Sequence, residues 1–79
     1  MANENLNPVT SASQTKRILA YLQAGGKITP LDALYKFGSM RLGARIADIS
    51  KLIGRPVSRQ RIKVFNADGK EVYVMQYYL

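Results

Sequence analysis

Apolar residues recur along this chain at two different spacings, and the change divides it. Up to Ile53 they follow the helical period; beyond Pro56 they alternate. The cleanest stripe lies between Met40 and Gly54. At about 100° per residue, Leu42, Ile46, Ile49 and Ile53 fall within about 60° of one another. The opposite face carries Arg41, Ala44, Asp48 and Lys51, with Arg45 on its flank. This pattern predicts a helix that buries an apolar seam and turns small and basic side chains outward.

Upstream, Thr15, Ile18, Leu19 and Leu22 share one face and predict a helix from about Ala12 to Ala24. Ser11 and Gln14 have capping-box spacing, with Ser13 as a competing cap. Gly25-Gly26 ends this helix, and Lys27 to Thr29 reads as a very short strand. Thr29, Pro30 and Asp32 then open a second helix as N-cap, first helical residue and capping partner. Leu31, Leu34 and Tyr35 are expected to form its apolar side. It ends near Phe37, where Gly38 turns the chain, and Ser39 caps the third helix. Gly43 sits inside that third helix, at a cost of ~1 kcal/mol relative to Ala. Its place on the side of the helix favours close packing against a neighbouring helix over close approach of the backbone to nucleic acid.

From Val57 to Phe65, Ile62 and Val64 alternate with Arg59, Arg61, Lys63 and Phe65, as in a strand with two unlike faces. Asn66-Ala67-Asp68-Gly69 has the form of a type I turn with a glycine bulge. A second strand follows from about Lys70 to Tyr78. One hairpin is too small to stand alone and must pack on the helices. Most of the tyrosines are expected in the core, since so small a domain needs large side chains to close. Stacking of single-stranded bases is the other use for them. The expected organisation is a tail over 1–11 and a single α+β domain over 12–79.

Charge then narrows the function. The 79 residues carry a net charge of +7, with a pI near 10.1, a balance suited to a polyanionic partner. Most of the excess lies between residues 41 and 63, where Arg41, Arg45, Lys51, Arg55, Arg59, Arg61 and Lys63 face Asp48 alone. With no His and no Cys, an ordinary zinc or haem site and a His- or Cys-based catalyst are not expected. The scattered acids do not form a carboxylate cage, and Gly25-Gly26 is not a phosphate loop. No cofactor, and no enzymatic activity, is therefore expected. No apolar run approaches the ~20 residues of a membrane span, and the Asn-rich start does not resemble a secretory leader. These features suggest the cytoplasm.

The order of elements resembles the winged helix-turn-helix superfamily, as do Ile28-Thr29-Pro30-Leu31-Asp32-Ala33-Leu34, Met40-Arg41-Leu42-Gly43-Ala44-Arg45-Ile46 and the Gly69-Lys70-Glu71-Val72 to Tyr77-Tyr78-Leu79 ending. More narrowly, the chain is similar to short single-domain helix-turn-helix proteins of phages and prophages. The resemblance covers roughly residues 13 to 79. It implies double-stranded DNA as the partner, with the third helix in the major groove and the hairpin as a wing on the backbone. Arg41, Ala44 and Arg45 are the candidate base contacts. Arg45 has a second reading as an ion-pair clamp to Asp48 or Asp32. Ser39, Lys51, Arg55, Arg59, Arg61, Lys63 and Lys70 are the candidate backbone contacts. A small phage-type regulator or accessory factor would fit, as a monomer or a homodimer. The rival is a winged helix used as a protein-interaction module, with Leu52, Val72, Val74 and Tyr78 as its apolar patch.

Overall fold

The computed structural model describes residues 11–79. The expected tail lies outside the described residues, except that Ser11 belongs to the first helix. The elements are helices α1 (Ser11–Gln23), α2 (Pro30–Phe37) and α3 (Leu42–Ile53), then strands β1 (Ser58–Phe65) and β2 (Glu71–Tyr78).

Helix α1 buries Ile18 and Leu22 on the expected face, with Thr15 beside them. Gln14, the expected capping-box partner, reaches across to α2. It is buried, and its side-chain amide donates to the carbonyls of Gly38 at 3.2 Å and Phe37 at 3.5 Å. A helix end leaves carbonyls without partners, so this residue ties α1 to the end of α2. At the other end of α1, Gly26 N–H donates to Tyr21 O and Gly25 N–H to Leu22 O, both at 3.0 Å. That pair of bonds is the Schellman stop. A Cβ on Gly26 would lie 2.5 Å from the Tyr21 ring. The bare glycine lets that ring pack edge-on against Phe37, centroids 5.7 Å apart.

Helix α2 starts as its sequence predicts. Thr29 Oγ1 accepts from Asp32 N–H at 3.2 Å, and Asp32 Oδ2 accepts from Thr29 N–H at 3.0 Å. Its inward face is not the expected one. Ala33 is fully buried and Phe37 partly so, whereas Leu31, Leu34 and Tyr35 are exposed. Gly38 adopts φ 68°, which a residue with a Cβ rarely tolerates, and this redirects the chain towards α3.

Helix α3 begins at Leu42, with Arg41 as an N-cap residue that makes no side-chain capping bond. Ser39 therefore does not cap it. Ser39 is buried in the turn, and its hydroxyl accepts from Arg41 N–H at 3.4 Å. The predicted stripe is confirmed, with Leu42, Ile46 and Ile49 buried and Ile53 partly so. These residues join Ile18, Leu22, Ile28, Ala33 and Val57 in one core.

The hairpin pairs β1 with β2 antiparallel, from Ser58 opposite Tyr78 to Phe65 opposite Glu71. Its base is fastened by Ile28, which exchanges bonds of 2.9 and 2.8 Å with Tyr77. The expected short strand is thus a single bridge. Tyr77 and Leu79, both partly buried, pack against the core. At the tip, Gly69 N–H donates to Asn66 O at 2.9 Å, and Asn66 Oδ1 accepts from Asp68 and Lys70 N–H at 2.9 and 3.0 Å. Gly69, at φ 78°, supplies the positive-φ position of the predicted turn.

Candidate nucleic-acid interface

Helix α3 is held between two neighbours, and these contacts decide which side remains open. Towards α1, Asp48 Oδ2 accepts from Arg45 Nε at 3.2 Å and from Thr15 Oγ1 at 3.4 Å. The Arg45 side chain is only 13% exposed. Of its two readings, the clamp to Asp48 is the one seen. Towards β1, Ser50 Oγ accepts from Val57 N–H at 3.2 Å. The side left open carries Gly43, Ala47 and Lys51, each four residues from the next, with Ala44 half-buried beside them. Arg41 is exposed at the entrance of the helix.

Gly43 does not pack against a neighbour, because a Cβ placed there meets nothing within 4 Å. Helix propensity alone then predicts that Gly43→Ala stabilises the fold by up to about 1 kcal/mol. Urea unfolding measures this, and a destabilised variant would contradict the open surface.

The hairpin packs against α2, and the segment leading into it reaches α3. Its base meets the end of that helix through Ser50 and Val57. Its far end shares a groove wall with Met40 at the entrance of the helix. The strand alternation holds: Arg59, Arg61, Lys63 and Phe65 are exposed, while Gln60, Ile62 and Val64 are half-buried. Arg61 lies over the Tyr73 ring at 4.7 Å from its centroid. Lys63 pairs with Glu71 at 3.3 Å. Arg55 and Lys70 are exposed at the two ends of the hairpin. Among the described residues only Arg45–Asp48 and Lys63–Glu71 form ion pairs. Elsewhere, Arg17 lies over Phe37, Lys27 over Tyr78 and Lys36 over Tyr21.

Of the predicted site residues, Arg41, Lys51, Arg55, Arg59, Arg61, Lys63 and Lys70 are on the surface, Ala44 is half-covered, and Ser39 and Arg45 are drawn inward. Gly43 and Ala47 complete the open face, and Ala47 was not singled out from sequence. Its position one turn beyond Gly43, away from the Ile stripe, was the available signal. Among the described residues no group of His, Cys, Asp or Glu is placed to hold a metal, and no helix is long and apolar enough to cross a membrane.

A family model described as a winged helix-turn-helix domain matches residues 13–79. The chain belongs to that family. Searches of curated proteins and of solved structures returned no match. In winged-helix terms α2 and α3 are the helix-turn-helix and the β1–β2 hairpin is the wing.

One apolar feature lies beside this wing. Leu31, Leu34, Met40, Val64, Phe65 and Val74 line a groove of about 470 Å³ between α2 and the wing. Leu52 belongs elsewhere, to a recess shared with Ala12, Lys16 and Lys51. Of the patch expected from Leu52, Val72, Val74 and Tyr78, Val74 alone lines the groove beside α2, and Leu52 lies in the other recess.

Proposed function

We propose that this winged-helix chain binds double-stranded DNA, with α3 in the major groove and the wing on the phosphate backbone. The observation that carries this reading is the open face of α3. It combines side chains too small to hold a duplex away, Gly43 and Ala47, with exposed Arg41 at the helix entrance and Lys51 farther along. A helix entering a groove about 12 Å wide needs this profile. Arg41 reads a guanine edge, and Ala44 and Ala47 form the close apolar surface beside it. Lys51, Arg55, Arg59, Arg61, Lys63 and Lys70 contact phosphates. Arg45 acts indirectly, by fixing α3 against α1 through Asp48, and Ser39 shapes the turn. The absence of a side-chain cap on α3 also leaves its first N–H groups available to a phosphate.

On this reading the protein is a binding protein rather than an enzyme. Its role is that of a small regulator or accessory factor of the phage type, working in the cytoplasm. Gly43→Ala separates stability from function, because the methyl group that favours the helix also holds the backbone off the bases. Duplex affinity is expected to fall while stability rises.

Selection from a random duplex library tests the proposal. The expected result is a guanine-containing motif whose enrichment disappears in Arg41→Ala, a loss of about 10- to 100-fold in discrimination. Weak, uniform binding of all duplexes would remove the base-reading role.

A second reading has its own support in the apolar groove, where Leu31, Met40 and Phe65 are all more than half exposed. Exposed apolar surface of this kind suits a protein partner. A chain acting only in that way would show no duplex affinity, and Leu34→Asp would abolish partner binding.

A further inference from the structure

The wing carries exposed aromatic rings that neither the core nor the duplex reading uses. The register places Arg59, Arg61, Lys63 and Phe65 on one face, opposite Tyr77, Met75, Tyr73 and Glu71. Tyr73 is 58% exposed and Phe65 is 68% exposed. Most tyrosines were expected inside, since such a ring can bury 150–250 Å² in so small a domain, and Tyr73 departs from that. Instead the Arg61 guanidinium lies 4.7 Å over the Tyr73 centroid, so a cation and a ring are held together on the surface. The acid on this face, Glu71, is paired with Lys63.

We propose that this face of the wing binds single-stranded nucleic acid by stacking unpaired bases on Tyr73, on Arg61 and on Phe65. A paired base hides its flat faces within the duplex stack and offers only its edges to a protein. Exposed rings therefore match bases that have left the stack. The cations supply the other half of the recognition. Successive outward residues on a strand lie ~6.6–7 Å apart, so Arg59, Arg61 and Lys63 form a charged row beside the rings. Stacking tolerates any base, because each has a π face, and the binding is correspondingly insensitive to sequence. Phe65 also borders the groove beside α2, so it forms the end of the platform and Tyr73 with Arg61 forms its centre.

This site shares the cations Arg59, Arg61 and Lys63 with the duplex reading, but Tyr73 and Phe65 belong to it alone, so the rings are what separate the two. The test is fluorescence anisotropy of the full chain with a labelled oligothymidylate and, in parallel, a fully paired DNA hairpin. Removing both rings, Tyr73→Ala with Phe65→Ala, is expected to weaken oligothymidylate binding by about 100-fold, roughly tenfold for each ring. The paired hairpin should lose no more than about threefold. Arg41→Ala should leave oligothymidylate binding unchanged, and Tyr73→Phe, which keeps the ring, should retain it. Both rings are largely exposed, so thermal unfolding followed by circular dichroism should show the variants folded. No binding of oligothymidylate by the natural chain would overturn the proposal. Equal affinity in the doubly substituted chain would also overturn it, since charge alone would then account for binding.

Discussion

Duplex affinity is expected to fall about 500-fold between 50 and 200 mM salt. Neutralising about five phosphates gives a slope of ~−4.5 in log K against log salt, and a fourfold rise in salt multiplies that through. Replacing Arg59, Arg61 and Lys63 together with Gln should bring the slope to between about −1.8 and −2.7. The range has a structural origin. Arg59 and Arg61 face solvent without an acidic partner among the described residues, whereas Lys63 already pairs with Glu71 at 3.3 Å. A phosphate must compete with that carboxylate, so Lys63 releases less than a full counterion's share. All three side chains are exposed, so the variant should unfold at nearly the same temperature. A salt titration of anisotropy measures both slopes. An unchanged slope would place the wing away from the backbone and leave α3 to bind alone.

The sequence made the elements legible wherever one physical constraint dominated. The four-membered stripe of α3 allows one inward face, and that face is buried. Thr29, Pro30 and Asp32 allow few alternatives to a helix start, and Asn66 to Gly69 few to a tight turn. Helix α2 shows where periodicity loses its power. With eight residues it has Leu31 and Leu34 on one side and Ala33 and Phe37 on the next. Side-chain size favours the leucines, but the Thr29 cap and the Ile28–Tyr77 bridge fix the helix direction first. Ala33 then faces α1, and the leucines are left along the groove. Ser39 misled in a similar way, since a good capping residue next to a helix start is also a good turn residue.

The candidate site was legible at the level of charge and less so at the level of single residues. Exposed cations cluster from Arg41 to Lys63 because no acid lies near them in sequence except Asp48. Asp48 takes Arg45, three residues away on the same helix, as helix geometry favours. Residue type could not divide Arg45 between this partner and a base. Gly43 pointed to a packing contact that is not made, because a glycine records that a side chain is absent and not what fills the space. Tyr73 lay beyond pattern reading for another reason: its strand alternates apolar residues on both faces, so burial depends on what the helices cover.

Ile49→Ala is expected to produce the largest loss of stability, about 2–5 kcal/mol. Ile49 is fully buried in the seam of α3, where Ile18 and Leu22 of α1 join the same core. A domain of this size commonly has roughly 0.05–0.15 kcal/mol of stability per residue, so the substitution removes a large part of the total. The melting temperature should fall by at least about 8 °C, since each kcal/mol is worth about 4–8 °C in a small domain. Ala47→Ser, only two residues away on the open face, should change stability by less than about 0.5 kcal/mol. Calorimetry of the two variants therefore measures the division of α3 into an inward seam and an outward face. If both lost little stability, the seam would not be the support of the helix. Function should follow the same division in reverse. Ile49→Ala weakens duplex binding only through the fraction of chains unfolded, so duplex at about 100 times Kd should restore about 2.7 kcal/mol. Arg41→Ala should leave the melting temperature of the free chain nearly unchanged and reduce that stabilisation by duplex, because it acts on the bound state alone.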